Sequence, residues 1–117
     1  MRTDEDYIRD ILGTIEKIEE FVEDMNYEEF LEDVKTQYAV VRALEIIGEA
    51  VKNISDKLKK KHPEIPWKSI AGMRDKLIHA YFGVDWEVVW LTVKKDVPRI
   101  KSVFEKLLNE IEGGSNV

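Results

Sequence analysis

Cysteine is absent from the 117 residues, which excludes disulfides, thiolate metal sites and cysteine nucleophiles. A reducing cytoplasm is the natural compartment for such a chain. The first ten residues lack the basic start and apolar run of a signal peptide. No apolar stretch approaches the roughly 20 residues that span a bilayer, so no membrane partner is expected. Histidine is nearly absent too, with only His62 and His79. Neither has metal-ligand neighbours at an established spacing, apart from the ambiguous pair Asp75 and His79, and a metal site needs three or four ligands. No cofactor is therefore expected. Gly72 and Gly83 are isolated, so there is no phosphate-cradling loop. Ser55, Ser69, Ser102 and Ser115 sit in no nucleophile elbow. Strand-like alternation, internal repeats and low-complexity tracts are missing as well.

What is present fits a folded helical domain. The chain is 44% hydrophobic and 36% charged, too apolar for disorder and long enough for one real core. The formal net charge is −6, so the whole molecule is no electrostatic sponge for nucleic acid. Acid is concentrated between residues 4 and 33. Lysines gather at Lys57, Lys59, Lys60 and Lys61 beside His62, and further basic residues at Lys94, Lys95, Arg99 and Lys101. Such clusters are solvated helix faces, or a local surface for a phosphate chain.

Apolar spacing of three and four predicts a first helix over Asp4 to Asp24, capped by Thr3 or Asp4. Gly13 inside it suggests a close helix crossing. Asn26 caps a second start. From Glu28 the pattern runs unbroken to about Lys61, with a break near Asp33 left open. Its stripe includes Phe30, Leu31, Val34, Tyr38, Leu44, Val51 and Ile54, and a second stripe beside it implies contact on two sides. His62 to Pro66 is a connection. A third helix follows from Trp67 to about Ile78. Asp85 caps a last helix that reaches about Glu112, disturbed near Asp96 and Val97 because Pro98 lies inside it. The expected fold is all-α, an antiparallel bundle of four to five helices. It forms a single domain over residues 1–112, with residues 113–117 as a flexible tail.

Chemistry concentrates between Arg74 and Tyr81. Asp75 and His79 stand four apart, so on a helix the carboxylate can hold the imidazole and set its tautomer. Arg74 and Tyr81 lie on one edge. Arg74 and His79 are about 140° apart at 3.6 residues per turn. They converge on one ligand only if the helix ends there, or if another helix or subunit closes the space. These groups suit phosphodiester cleavage without metal, with the 2′-OH of RNA as nucleophile, His79 as acid or base, and Arg74 as phosphate fork. Tyr81 stacks a base, donates a hydrogen bond, or simply extends the core stripe of Ile70, Met73 and Leu77. Ordinary readings stand beside these: a helix-end histidine on the surface, and an exposed Arg74–Asp75 pair.

Arg74, the polar Asp75 and His79 make an Arg-x4-His pattern that resembles the signature of the HEPN superfamily. With Tyr81 it becomes Arg-x4-His-x-Tyr, the form of HepT-like toxins. The block Tyr38 to Ala50 resembles that family's second helix. Trp67 to Arg74 and Tyr81 to Asp85 resemble its third-helix region, and the likeness spans roughly residues 30 to 112. The resemblance implies a homodimer and a metal-independent endoribonuclease site in the cleft between subunits, with Arg74 and His79 catalytic and Asp75 supporting. It also implies a toxin–antitoxin pair, in which a cognate nucleotidyltransferase antitoxin silences the toxin by adding AMP to Tyr81 (AMPylation). Two other readings remain: a HEPN-like module that binds nucleotide or a partner and cuts nothing, and a ligand-free dimerisation module using the second helix with Trp86, Val89, Trp90 and Val93.

Overall fold

The computed structural model describes residues 1–73, 75 and 83–113. All regular structure among them is helical: α1 (Asp4–Phe21), α2 (Tyr27–Glu32), α3 (Val34–Lys52), α4 (Asp56–Lys61), α5 (Trp67–Ala71), α6 (Trp86–Leu91) and α7 (Val97–Gly113). A π-helical turn, Thr92–Asp96, joins the last two. The chain is thus an all-α bundle, as its periodicity predicts. Gly113 closes α7, and residues 114–117 of the expected tail lie outside the described residues.

Local side-chain chemistry sets the helix ends. Thr3 and Asp6 form a reciprocal capping box at α1, and Asn26 and Glu29 form another at α2, each satisfying two backbone N–H groups that a helix start leaves without partners. Thr3 is therefore the α1 cap. The Asp4 carboxylate instead accepts hydrogen bonds from the Ser55 backbone N–H at 2.8 Å and the Ser55 hydroxyl at 2.6 Å. Ser55 in turn caps α4. This bond ties the start of α1 to the chain just beyond α3, so those two helices run antiparallel.

The apolar run from Glu28 to Lys61 is divided twice, at Asp33, where the pattern leaves a break open, and at Asn53, where it predicts none. At the first break Asp33 caps α3 through the Thr36 N–H at 3.0 Å. The buried Gln37 amide donates to the Phe30 and Leu31 carbonyls, both at 3.0 Å, in the last turn of α2. At the second, Asn53 Nδ2 donates back to the Glu49 carbonyl at 2.9 Å and Ser55 restarts the helix. Polar side chains here compete with the helical ladder. The apolar rhythm survives both breaks because Phe30 and Ile54 still point inward. Val34 and Tyr38, read as part of the inward stripe, are instead exposed.

The core is built from Ile8, Ile11, Ile15 and Ile18 of α1, Val40, Leu44, Ile47 and Val51 of α3, and Phe104 and Leu107 of α7. Ion pairs from Arg9 to Glu112 and from Lys101 to Glu19 set α1 antiparallel to α7. The wide apolar arc of α3 is covered by α1 and α5. The disturbance expected near Pro98 takes the form of the π-helical turn directly before it. A proline deprives the preceding turn of a donor, and the wider turn absorbs that loss. Thr92, nearly buried, donates its hydroxyl to the Val88 carbonyl at 2.7 Å. Val89 and Val93 are core residues and offer no surface to a second copy. Trp86 and Trp90 pack on Phe30, with ring centroids 6.0 and 5.1 Å away. Among the described residues no helix is long and apolar enough to cross a membrane.

Candidate active site and family

The segment that carries the Arg-x4-His pattern is framed by described structure on both sides. It begins at the end of α5, and that helix is fixed at three points. The Trp67 indole N–H donates to the His62 carbonyl at 2.9 Å. The Trp67 ring meets Phe104 of α7 edge-on, with centroids 5.9 Å apart. Behind α5 stands Gly48, where a Cβ would lie only 3.0 Å from the Ala71 carbonyl oxygen. Only a residue without a side chain permits that approach of α3 to the α5 backbone. Ile70 and Met73 are buried beneath. The Gly72 N–H then bonds to the Lys68 carbonyl at 2.9 Å, and the Asp75 N–H to the Gly72 carbonyl at 3.0 Å.

Of the residues expected to act, Asp75 alone is described. It is helical and exposed, two residues beyond the buried Met73. Arg74, His79 and Tyr81 lie outside the described residues, and so does the facing of Asp75 and His79. On the far side Gly83 has φ +111°, a left-handed backbone that suits glycine. Asp85 then caps α6 through the Val88 N–H at 3.2 Å, as expected.

The other histidine has an environment that sequence spacing missed. His62 lies half-buried between two carboxylates: Nδ1 is 3.2 Å from Glu64 Oε2, and Nε2 is 3.4 Å from Glu110 Oε1 without a hydrogen bond. Hydrogen bonds from its own backbone N–H and from His62 hold the Glu64 carboxyl below the usual range. Glu64 is visible as a close neighbour in the chain. Glu110 is brought there only by the fold. Among the described residues, no group of three or more His, Asp or Glu side chains is placed to hold a metal ion.

A cleft of about 230 Å³ opens between α5 and the start of α7, with Ser69, Ile70, Met73, Thr92, Asp96 and Arg99 on its walls. Met73 is bonded to Arg74, so this cleft abuts the first residue of the motif. Arg99 belongs to a basic cluster visible in the sequence, but nothing in its spacing points to α5.

Residues 11–107 match the family described as Ribonuclease HepT-like. A Thermococcus cleftensis protein named "Probable ribonuclease HepT" is 61% identical over 106 residues, covering 91% of this chain and 96% of that protein. A Methanocaldococcus jannaschii protein with RNase in its name is 52% identical over 107 residues, covering 92% of this chain and 88% of that protein. Another, from Caldanaerobacter subterraneus, is 44% identical over 110 residues, covering 94% and 98%. No solved structure matches the chain. With a family match across most of its helices and the Arg-x4-His-x-Tyr pattern between α5 and α6, the chain belongs to the HepT-like ribonuclease family, within the HEPN superfamily.

Proposed function

We propose that this protein is an endoribonuclease that cuts RNA without a metal, in a cleft completed by a second copy of the chain. The observation that carries the reading is the Arg74-x4-His79-x-Tyr81 pattern inside a chain of this family. In the reaction the 2′-oxygen of one ribose attacks the adjacent phosphorus, the bond to the 5′-oxygen breaks, and a cyclic phosphate and a 5′-hydroxyl result. His79 takes the 2′-proton or returns one to the leaving oxygen, since an imidazole titrates near neutrality. Arg74 binds the phosphate as a fork and stabilises the charge that grows on its oxygens. Asp75, one turn before His79, sets the imidazole tautomer. The two-fold mate resolves the angular separation of Arg74 and His79 by closing the cleft from the other side.

The chain acts in this reading as the toxin of a toxin–antitoxin pair. A nucleotidyltransferase antitoxin transfers AMP from ATP to the Tyr81 hydroxyl, releasing pyrophosphate, and the added charge and bulk block the phosphate path. The compartment is the cytoplasm, where RNA and such a partner meet.

The test is cleavage of total RNA in EDTA by wild type and by His79→Ala. Cleavage by wild type and at least a hundredfold loss in the variant are expected, in line with the usual contribution of a general acid or base of about 10²–10⁴. Equal cutting by both proteins removes His79 from the mechanism. The acidic net charge favours a second reading, a module that binds nucleotide or a partner and cuts nothing. Binding without cutting by wild type would establish it.

A further inference from the structure

The cleft beside Met73 does not end at α5. It shares Pro66 and Ser69 with a second depression, of about 640 Å³, that runs along the other side of the helix to Asp56 and Lys59 of α4. The two depressions meet at Pro66 and Ser69 and together line a path from α4, over α5, to the residue bonded to Arg74. Its floor is apolar, with Ile65, Ile70 and Met73. Its rim carries Lys59, Lys68 and Arg99 against Asp56 and Asp96. Cations therefore prevail here, in a chain with 24 acidic and 18 basic residues. Two neighbouring cations bind partners elsewhere: Lys61 pairs with Glu110, and Lys101 with Glu19. Among the described residues the side chains of Lys59, Lys68 and Arg99 make no ion pair. A basic rim over an apolar floor is the form of a groove that follows a single-stranded backbone, with cations on phosphates and apolar groups against sugars and bases.

We infer that this groove carries the single-stranded RNA flanking the cut site, with Lys59, Lys68 and Arg99 as phosphate contacts that position the strand on Arg74. The inference rests on the ribonuclease reading and specifies its substrate path. All three residues act by charge at a distance from the reacting atoms, so they affect binding rather than the chemical step. Single strands show a salt slope of about −0.7 per phosphate neutralised, so removing three contacts lowers the slope by about 2.

The experiment uses the full chain carrying His79→Ala, which leaves substrate uncut, and a fluorescent single-stranded RNA oligonucleotide. Anisotropy titrations across a salt series give the slope. The set Lys59→Ala, Lys68→Ala and Arg99→Ala is expected to flatten it by about 2. The set Lys17→Ala, Lys35→Ala and Lys106→Ala removes the same charge from other faces and should leave it near wild type. Lys68→Arg with Arg99→Lys should restore binding. In otherwise wild-type protein the groove set should raise KM for RNA and spare kcat, with circular dichroism confirming the fold. Equal slopes for the groove set and the parent overturn the groove, as does an equal loss in the control set. In that case continued cutting by wild type in EDTA leaves the ribonuclease reading intact. Wild type that neither cuts nor binds RNA removes both.

Discussion

Replacing glycine by alanine at two helical positions should have opposite effects, because the two sites differ only in what stands opposite. Inside a helix, alanine is favoured over glycine by about 1 kcal/mol. At Gly13, exposed in α1, a Cβ meets nothing within 4 Å, so Gly13→Ala keeps the gain and should stabilise by about 0.5–1 kcal/mol. This also corrects the expectation that Gly13 marks a helix crossing. The crossing is at Gly48, where the new Cβ would stand 3.0 Å from the Ala71 carbonyl oxygen and 3.7 Å from that of Ile70. Backbone at a helix end yields less easily than a side-chain tip, and overpacking costs about 1–3 kcal/mol. Set against the propensity gain, Gly48→Ala should destabilise by about 1 kcal/mol, a fall in Tm of about 4 °C for a domain of this size. Urea unfolding at equilibrium measures both variants. The displaced α5 should also reduce RNA cleavage more than the stability change explains, because Ala71 is three residues from Arg74. If Gly48→Ala proved as stabilising as Gly13→Ala, with cleavage unchanged, α5 would not be set by that contact.

Two further outcomes follow from the packing and the caps. Phe104 is fully buried and meets Trp67 edge-on, so Phe104→Ala should cost about 3–5 kcal/mol and loosen α5, seen as lost stability in urea and a red-shifted tryptophan emission. The Asp33 carboxyl is held below its ordinary range by hydrogen bonds from Thr36, the backbone N–H foremost. Because its folded pKa is depressed, its contribution is complete above the unfolded pKa and disappears as pH falls through the lower folded value. Asp33→Asn should therefore flatten the acid limb of stability below about pH 4, checked by urea midpoints from pH 7 to pH 2. An unchanged limb would place the linkage elsewhere.

The parts of this molecule that were legible in its sequence are those that depend on local chemistry. Thr3, Asn26 and Asp85 are recognisable caps because a cap needs one side chain at one position, and Pro98 announces a disturbance because the ring removes a donor wherever it stands. The pattern leaves a break at Asp33 open and that break is present, whereas the one at Asn53 is hidden, since helix periodicity reports only which residues face inward, and Ile54 does so beyond it. Val34 and Tyr38 show the converse: apolar residues on a helical stripe that nothing in the described chain covers. Glu110 beside His62, and Arg99 beside Ser69, come from pairing α7 with segments far away in sequence. No local rule carries such pairings. The motif from Arg74 to Tyr81 was legible because its residue types are unusual together.

In the proposed function that motif needs a rigid approach. Groups that act on one phosphodiester must be held to within about half an ångström, and a five-residue helix has too few internal hydrogen bonds to hold itself. The precision has to come from its neighbours. Gly48 fixes how closely α3 stands behind α5, Trp67 fixes α5 against α7 and the His62 carbonyl, and Met73 anchors the chain in the core one residue before Arg74. Gly83 and the Asp85 cap then fix where the segment must return. The fold thus constrains both ends of the segment independently of anything inside it. Changes at Gly48, Trp67 or Asp85 are therefore expected to reach the motif without touching one of its residues.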